Sequence, residues 1–466
     1  MNYLIPFLLV LYSCTSTTEP KIQVSDSATI FQGVNIIDVR DGSILSNQQV
    51  VVDSGKIVSI SNTAEVQRST WPEGVEVVDA NGKYITPGLA EMHAHIPSPN
   101  EGEDWIKDVL FLYVANGVTT IRGMLGHPRH LQLREEAKNN SIISPRIYTS
   151  SPSFNGNSVP TPEAGRQKVI ESKEAGYDFL KFHPGIKLEV HDEIVRTANE
   201  VGIPYAGHVS TGVGIRHALE SNYATVDHVD GFLEGLVPES AGVNPDENGF
   251  FGFQFTELAD TTMIAELVEL SKAHEVWVVP TQALFERWFS PIPAEGLALE
   301  SEMKYMPADM VENWVQRKKQ IVAGPGFDSV KWEKYNEIRR SMIYQLQHEG
   351  QGLLLGSDAP QVFNVPGFSI HHEMQYMLEA GLTPLEILQT GTLNTAIFYE
   401  REGDFGEIVE EASADFILSK GNPLEDLKNL QQPDGVMVRG TWLDRTEIDQ
   451  KLADLAARNK GAGSRD

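Results

Sequence analysis

The strongest constraint on this chain is a rhythm. Between about residues 84 and 356, short β-branched or apolar runs alternate with segments of helical periodicity. Strands are predicted at 84–92, 118–124, 146–150, 179–183, 205–208, 225–228, 277–280 and 353–356, with helices at 105–115, 164–175, 189–201, 214–220 and 262–273 between them. Such alternation predicts the α/β class, with a (β/α)8 TIM barrel as its core. An open doubly wound sheet is the rival, but no Gly-rich nucleotide loop follows the first strand.

The flanks read differently. Residues 28–79 alternate in steps of two and are broken by Asp41-Gly42 and Ser54-Gly55. The same texture returns at 406–443, with turns at Gly421-Asn422-Pro423 and Arg439-Gly440. Neither piece is long enough to stand alone, so one small β-sandwich domain built from both chain ends is expected. The expected order is a leader and tether (1–20), β domain (21–85), barrel (86–400), β domain again (401–446) and a C-terminal tail (447–466). Two long connections, 230–260 and 285–347, follow predicted strands six and seven. Loops there line the mouth of a barrel and serve as lids, walls or packing helices.

The N-terminus reads as a targeting segment. Its apolar stretch is too short for a membrane span and matches a signal-peptide core. It ends in Leu11-Tyr12-Ser13-Cys14, which resembles a bacterial lipobox, and Cys14 is the only cysteine, so no internal disulfide forms. The expectation is a lipid anchor on Cys14 at the bacterial cell envelope, periplasmic or outer-membrane associated. An ordinary secretory peptide is the alternative. The anchor is the one membrane contact expected, and a homo-oligomer is left open. Acidic residues outnumber basic ones 65 to 37, for a net charge of -28. That surface repels phosphate backbones and argues against a nucleic-acid partner.

Six residues fall at or near the ends of predicted strands: His93, His95, Lys181, His208, His228 and Asp358. His93-Ala94-His95 is a strand-period pair whose two imidazoles can face one ion. It closes Pro87-Gly88-Leu89-Ala90-Glu91-Met92-His93-Ala94-His95, which resembles the first-strand signature of the amidohydrolase superfamily, with Glu91 where an Asp is usual. The resemblance continues through Asn116-Gly117-Val118-Thr119-Thr120-Ile121-Arg122, Gly356-Ser357-Asp358-Ala359, Gly381-Leu382-Thr383-Pro384 and Ala414-Asp415-Phe416. It covers nearly the whole chain after the leader and is nearest to the prolidase-like and imidazolonepropionase-like branch.

The resemblance implies roles. His93 and His95, with Asp358, would bind a buried first metal; His208 and His228 would bind a second. Lys181 matches a position that in some members is carboxylated and bridges both ions. Physical chemistry agrees with this set. Imidazole and carboxylate ligands suit zinc-type ions. A buried lysine loses its proton readily and can then capture carbon dioxide. His183, two residues after Lys181, is expected to face the same site and bind substrate or support a ligand. Arg122 is expected either to grip a substrate carboxylate or to form a structural salt bridge. The pair His371-His372 and Glu373 is expected to pack a helix.

The expected activity is metal-dependent hydrolysis of an amide-type bond in a small-molecule substrate, such as a dipeptide or N-acyl amino acid. A metal-bridging hydroxide would attack, with Asp358 moving the proton. Two alternatives stand beside it: a one-metal deaminase or cyclic-amide hydrolase, and a non-catalytic surface binding lipoprotein.

Overall fold

The computed structural model describes residues 24–63, 71–324 and 326–462. The N-terminal region forms β1 (Thr29–Ile37), β2 (Ile44–Asp53), β3 (Lys56–Asn62), β4 (Glu76–Asp79) and β5 (Tyr84–Pro87). β1, β2 and β3 form an antiparallel meander, and β4 and β5 run parallel to β1. Next come the barrel strands β6 (Leu89–Ala94), β7 (Val118–Gly123), β8 (Arg146–Thr149), β9 (Leu180–Phe182), β10 (Tyr205–Gly207), β11 (Thr225–Asp227) and β12 (Trp277–Val279). The chain returns to the first sheet through β13 (Phe416–Ser419), β14 (Gly435–Val438) and β15 (Thr441–Asp444). β13 pairs with β5, so strands from both ends share one hydrogen-bonded path. They pack around Phe31, Val50, Ile85, Phe416 and Met437, with Trp442 edge-on to Phe31.

The run 84–92, read from sequence as one strand, is two. β5 belongs to the β domain and β6 to the barrel, and the chain passes between them at Gly88. A Cβ there would lie 2.2 Å from the Thr119 hydroxyl, so only glycine fits.

β6 to β8 are parallel, as are β9 to β12. Isolated parallel bridges close the ring. Ser150 pairs with Phe179 between β8 and β9, Val278 with Leu353, and Ala94 with Ala359. The segment 352–359 thus serves as the eighth strand: Leu354 N–H donates to Val278 O at 2.9 Å and Met92 N–H to Leu355 O at 2.8 Å. The ring is a (β/α)8 barrel beside a β domain built from both chain ends.

The helices Glu103–Ala115, Pro162–Ala175, Leu188–Val201, Ile215–Glu220 and Ile264–Ala273 lie where periodicity placed them. Their ends carry local signals. Thr161 caps the second by accepting from Ala164 N–H, and left-handed Gly176 and Gly202 end the second and third. Helix Pro128–Lys138 was not legible, because it is mostly polar and buries only His130, Leu133 and Ala137. Leu110, Val118, Ile194, Val226, Leu267 and Val278 are fully buried between strands and helices. Each such side chain contributes about 1.5–3 kcal/mol on burial.

The connection after β12 is largely helical: Gln282–Trp288, Ala294–Ala298, Ala308–Val322 and Ser329–His348. The segment read as a tail is a helix, Arg445–Ala462, that buries Ile448, Leu452 and Leu455. Among the described residues no helix is long and apolar enough to cross a membrane. Cys14 and the leader lie outside the described residues.

Candidate metal centre

Because barrel strands are parallel, their C-terminal ends meet at one mouth. His93 stands on β6 and His95 just past it; Lys181 is the middle residue of β9. His208 and His228 directly follow β10 and β11, and Asp358 follows the eighth segment. All six meet. The His93 ring lies 5.4 Å from His95 and 4.4 Å from His228, and His208 lies 4.6 Å from His228, centroid to centroid. Asp358 Oδ1 is 2.7 Å from His95 Nε2 and 3.7 Å from His93 Nε2. Ligand atoms of His93, His228 and Asp358 lie within 4.8 Å of one another, and all three side chains are buried.

Three imidazoles are held alike by hydrogen bonds: His208 Nδ1 lies 2.9 Å from Asp230 Oδ2, His228 Nδ1 2.8 Å from Thr281 Oγ1 and His183 Nδ1 2.8 Å from Ser153 Oγ. In each case Nε2 is left toward the centre, the arrangement that orients metal-binding histidines. His93 Nδ1 lies 3.0 Å from Asp227 Oδ2, within ion-pair distance but without a hydrogen bond between them. The backbone is unusual here too. His228, Val229 and Asp358 are non-glycine residues at φ of 65°, 53° and 63°. Such strain persists only where neighbours enforce it: Arg339 donates to His228 O at 2.8 Å, and Asp358 N–H donates to His93 O at 3.1 Å.

Burial sets the protonation states. It is the main cause holding His93 and His228 well below the ordinary imidazole range, and it brings His208 to about 3 and His183 to about 2, with Lys181 adding repulsion in each case. All four are therefore neutral near pH 7, which leaves His93, His208 and His228 able to ligate a cation. Burial also lowers Lys181, against the pull of Asp227 and Asp358. Lys181 Nζ and Asp358 Oδ1 are buried without a hydrogen bond. Unsatisfied buried groups of this kind are costly unless a ligand completes them, so the donor set fits divalent cations.

Three supports were not legible as such. Asp227 is fully buried, 3.7 Å from Lys181 Nζ, and accepts from Arg122 and Thr225. Burial raises its pKa, but Arg122 and then Lys181 outweigh this and hold it low. Asp230 carries His208. Phe251, at φ 48°, lies 5.8 Å from the His208 ring and 5.5 Å from His228, its carbonyl accepting from Tyr335. The run Asp227-His228-Val229-Asp230 was the available signal, but strand alternation does not extend through left-handed residues.

Arg122 requires correction. Its guanidinium is buried beneath the site, donating to Met92 O at 2.7 Å, Thr225 Oγ1 at 2.9 Å and Asp227 Oδ1 at 3.0 Å. It forms the structural salt bridge and does not face substrate. His183 does face the mouth. With His95 it lines a cavity of about 560 Å³ between the segments after β6 and β7 and helix Ala308–Val322. Glu373 packs its helix as expected, accepting from Gln282 and Ala283 N–H at 2.9 and 2.6 Å.

Imidazoles, a lysine and a carboxylate gathered at strand ends make a barrel mouth suited to divalent cations. The chain belongs to the amidohydrolase family, whose sequence profile matches residues 84–443. Among solved structures it is similar to bottromycin amidohydrolase (TM-score 0.70, 22% identity, 93% of this chain and 91% of that one). It is also similar to a putative prolidase from Bifidobacterium longum (0.64, 22%, 92% and 98%) and to a Xaa-Pro dipeptidase with bound methionine (0.61, 18%, 90% and 100%). At these identities the likeness is one of fold. The dihydroorotase of Carboxydothermus hydrogenoformans is 43% identical over 65 residues, 14% of each chain. That of Bacillus cytotoxicus is 30% identical over 86 residues, 18% of this chain and 20% of that one. The chain thus matches a fifth or less of the length of these curated relatives.

Proposed function

We propose that this protein hydrolyses an acyclic amide bond in a small substrate of the dipeptide or N-acyl amino acid class. In this reading His93, His95 and Asp358 would hold one divalent ion, zinc in kind, and His208 and His228 would hold a second. Lys181, as a carbamate, would supply a further anionic ligand to them. The observation that carries the reading is Lys181 Nζ, buried and unbonded among neutral imidazoles. A neutral amine there attacks carbon dioxide, forming an N–C bond and releasing one proton to solvent; the product anion suits a site built for cations.

When bound, the two ions acidify a water and polarise the scissile carbonyl. Asp358 receives the proton of the attacking water and passes it to the leaving nitrogen. His183, fixed by Ser153, positions the substrate from the cavity side. Phe251 excludes water beside His208 and His228. The prolidase and Xaa-Pro dipeptidase descriptions of two similar folds agree with this substrate class.

A cyclic-amide substrate is the second reading, favoured by the short dihydroorotase matches. A panel of dipeptides, N-acyl amino acids, lactones and cyclic ureides, assayed with and without chelator, separates the two. Chelator-sensitive turnover of acyclic amides is expected. Turnover confined to cyclic ureides selects the second reading, and turnover indifferent to chelator overturns both. Metal analysis of the active protein should give two ions per chain; one ion at full activity removes the bridging role of Lys181. Lipidation of Cys14 at the cell envelope belongs to the same proposal, and intact-mass analysis of cell-extracted protein showing an unmodified chain from Met1 would end it.

A further inference from the structure

The expected carboxylate grip is not supplied by Arg122. The cavity over the site offers another cation. Helix Ala308–Val322 turns Met310, Asn313, Trp314 and Arg317 toward it, a 3–4 spacing that sets all four on one face. Asn313 and Arg317 are thus one turn apart, in the same cavity as His95 and His183.

Arg317 stands apart from the other described arginines. Each of them has a carboxylate, carbonyl or amide partner, from Arg40 on Glu407 to Arg458 on Asp108. Arg339 and Arg439, which lack an acid, donate to carbonyls and amides. No hydrogen bond or ion pair is made by Arg317, and none by Asn313, among the described residues. In a chain with 65 acidic residues against 37 basic ones, Arg317 and Asn313 stand exposed at the rim of this cavity with no acid paired to the arginine, free to meet a ligand entering from solvent. The acid lining that cavity, Glu101, is occupied in capping its own turn: it accepts from Ser98 N–H at 2.8 Å. The protein as a whole repels anions, so an anionic substrate needs a local cation.

We infer that Arg317, assisted by the Asn313 amide, binds the free carboxylate of the substrate across the cavity from His95 and His183, and so selects carboxylate-bearing amides over neutral ones. The guanidinium fork matches a carboxylate in two parallel hydrogen bonds, which a lysine does not reproduce. The Trp314 ring beneath the pair is buried and gives that end of the cavity an apolar wall. Arg317 is a specificity residue, and the inference rests on the amide-hydrolase reading above.

The test uses the full chain and two matched probes, an N-acetyl amino acid that the wild type hydrolyses and its C-terminal carboxamide. Arg317→Met should lower kcat/KM for the carboxylate about 10- to 100-fold, through KM, the range of one charge-assisted contact. The carboxamide should change less than about 3-fold by the same reasoning. Arg317→Lys should recover part of the loss. Equal losses on both probes, or none on either, overturn the assignment. A calorimetric arm needs no turnover: metal-stripped wild type should bind the N-acetyl amino acid more tightly than its carboxamide, and Arg317→Met should abolish the difference. If the panel yields no hydrolysis but this preference appears, the amide-hydrolase reading fails and the carboxylate site stands. If the preference is missing, the site falls whatever the turnover.

Discussion

Asp227 Oδ2 stands 3.0 Å from His93 Nδ1, while Oδ1 of the same carboxylate accepts from Arg122 at 3.0 Å. One buried carboxylate thus binds a cation inside the barrel and lies against an imidazole of the site, with Lys181 Nζ 3.7 Å away. Asp227→Ala leaves the Arg122 guanidinium buried without its partner. That should cost about 3–5 kcal/mol in urea unfolding. It also frees the His93 ring, so metal affinity should fall about 10- to 100-fold, the usual cost of losing such a support. Calorimetric titration of zinc into chelated protein measures this; unchanged affinity would mean that Asp227 does not orient His93.

Asp358 faces His95 and His93 from a backbone that few residues adopt. Asp358→Asn keeps the shape and one ligating oxygen but loses the base. Turnover should drop at least ~100-fold while most metal is retained. Near-normal turnover would remove Asp358 from proton transfer.

Lys181→Ala opens the space that a carbamate would occupy. Activity should be lost and then partly restored by added acetate or propionate, whose carboxylates stand in for the missing anion. In the wild type, labelled carbon dioxide should give a carbamate resonance in 13C NMR. If no small carboxylate restores turnover and no label is retained, Lys181 acts only as an amine.

His371 reports on pH away from the metal centre. Burial brings its imidazole to about 3. An unfolded histidine takes up a proton below about 6.5, so acid favours the unfolded chain. The contribution is fully present above pH 6.5 and is lost as pH falls toward 3. His371→Leu should flatten the stability slope between pH 6 and 4 by up to about 1.4 kcal/mol per pH unit. Urea midpoints at several pH values for both proteins measure it, and parallel slopes would count against the burial argument.

Where the chemistry is local, the chain was readable before folding. The barrel helices carry their own apolar stripes, and five of them stand where periodicity put them. The six candidate ligands also meet, because strand ends are local features and parallel strands align them. The polar helix Pro128–Lys138 lacked that periodicity. The break at Gly88 was hidden because its cause, the Thr119 side chain, is a neighbour in space and not along the chain.

Periodicity and residue type were thus enough to set the barrel class, the β domain shared by both ends and the side chains at the mouth, since each depends on short-range geometry. Partners are another matter. Nothing along the chain tells that Arg122 turns inward to Asp227, or that Arg317 is left without an acid at the rim of the cavity that His95 and His183 line. Those outcomes were settled only when the ring closed, because hydrogen bonds and charge pairing act over a few ångströms and depend on which distant segments arrive there.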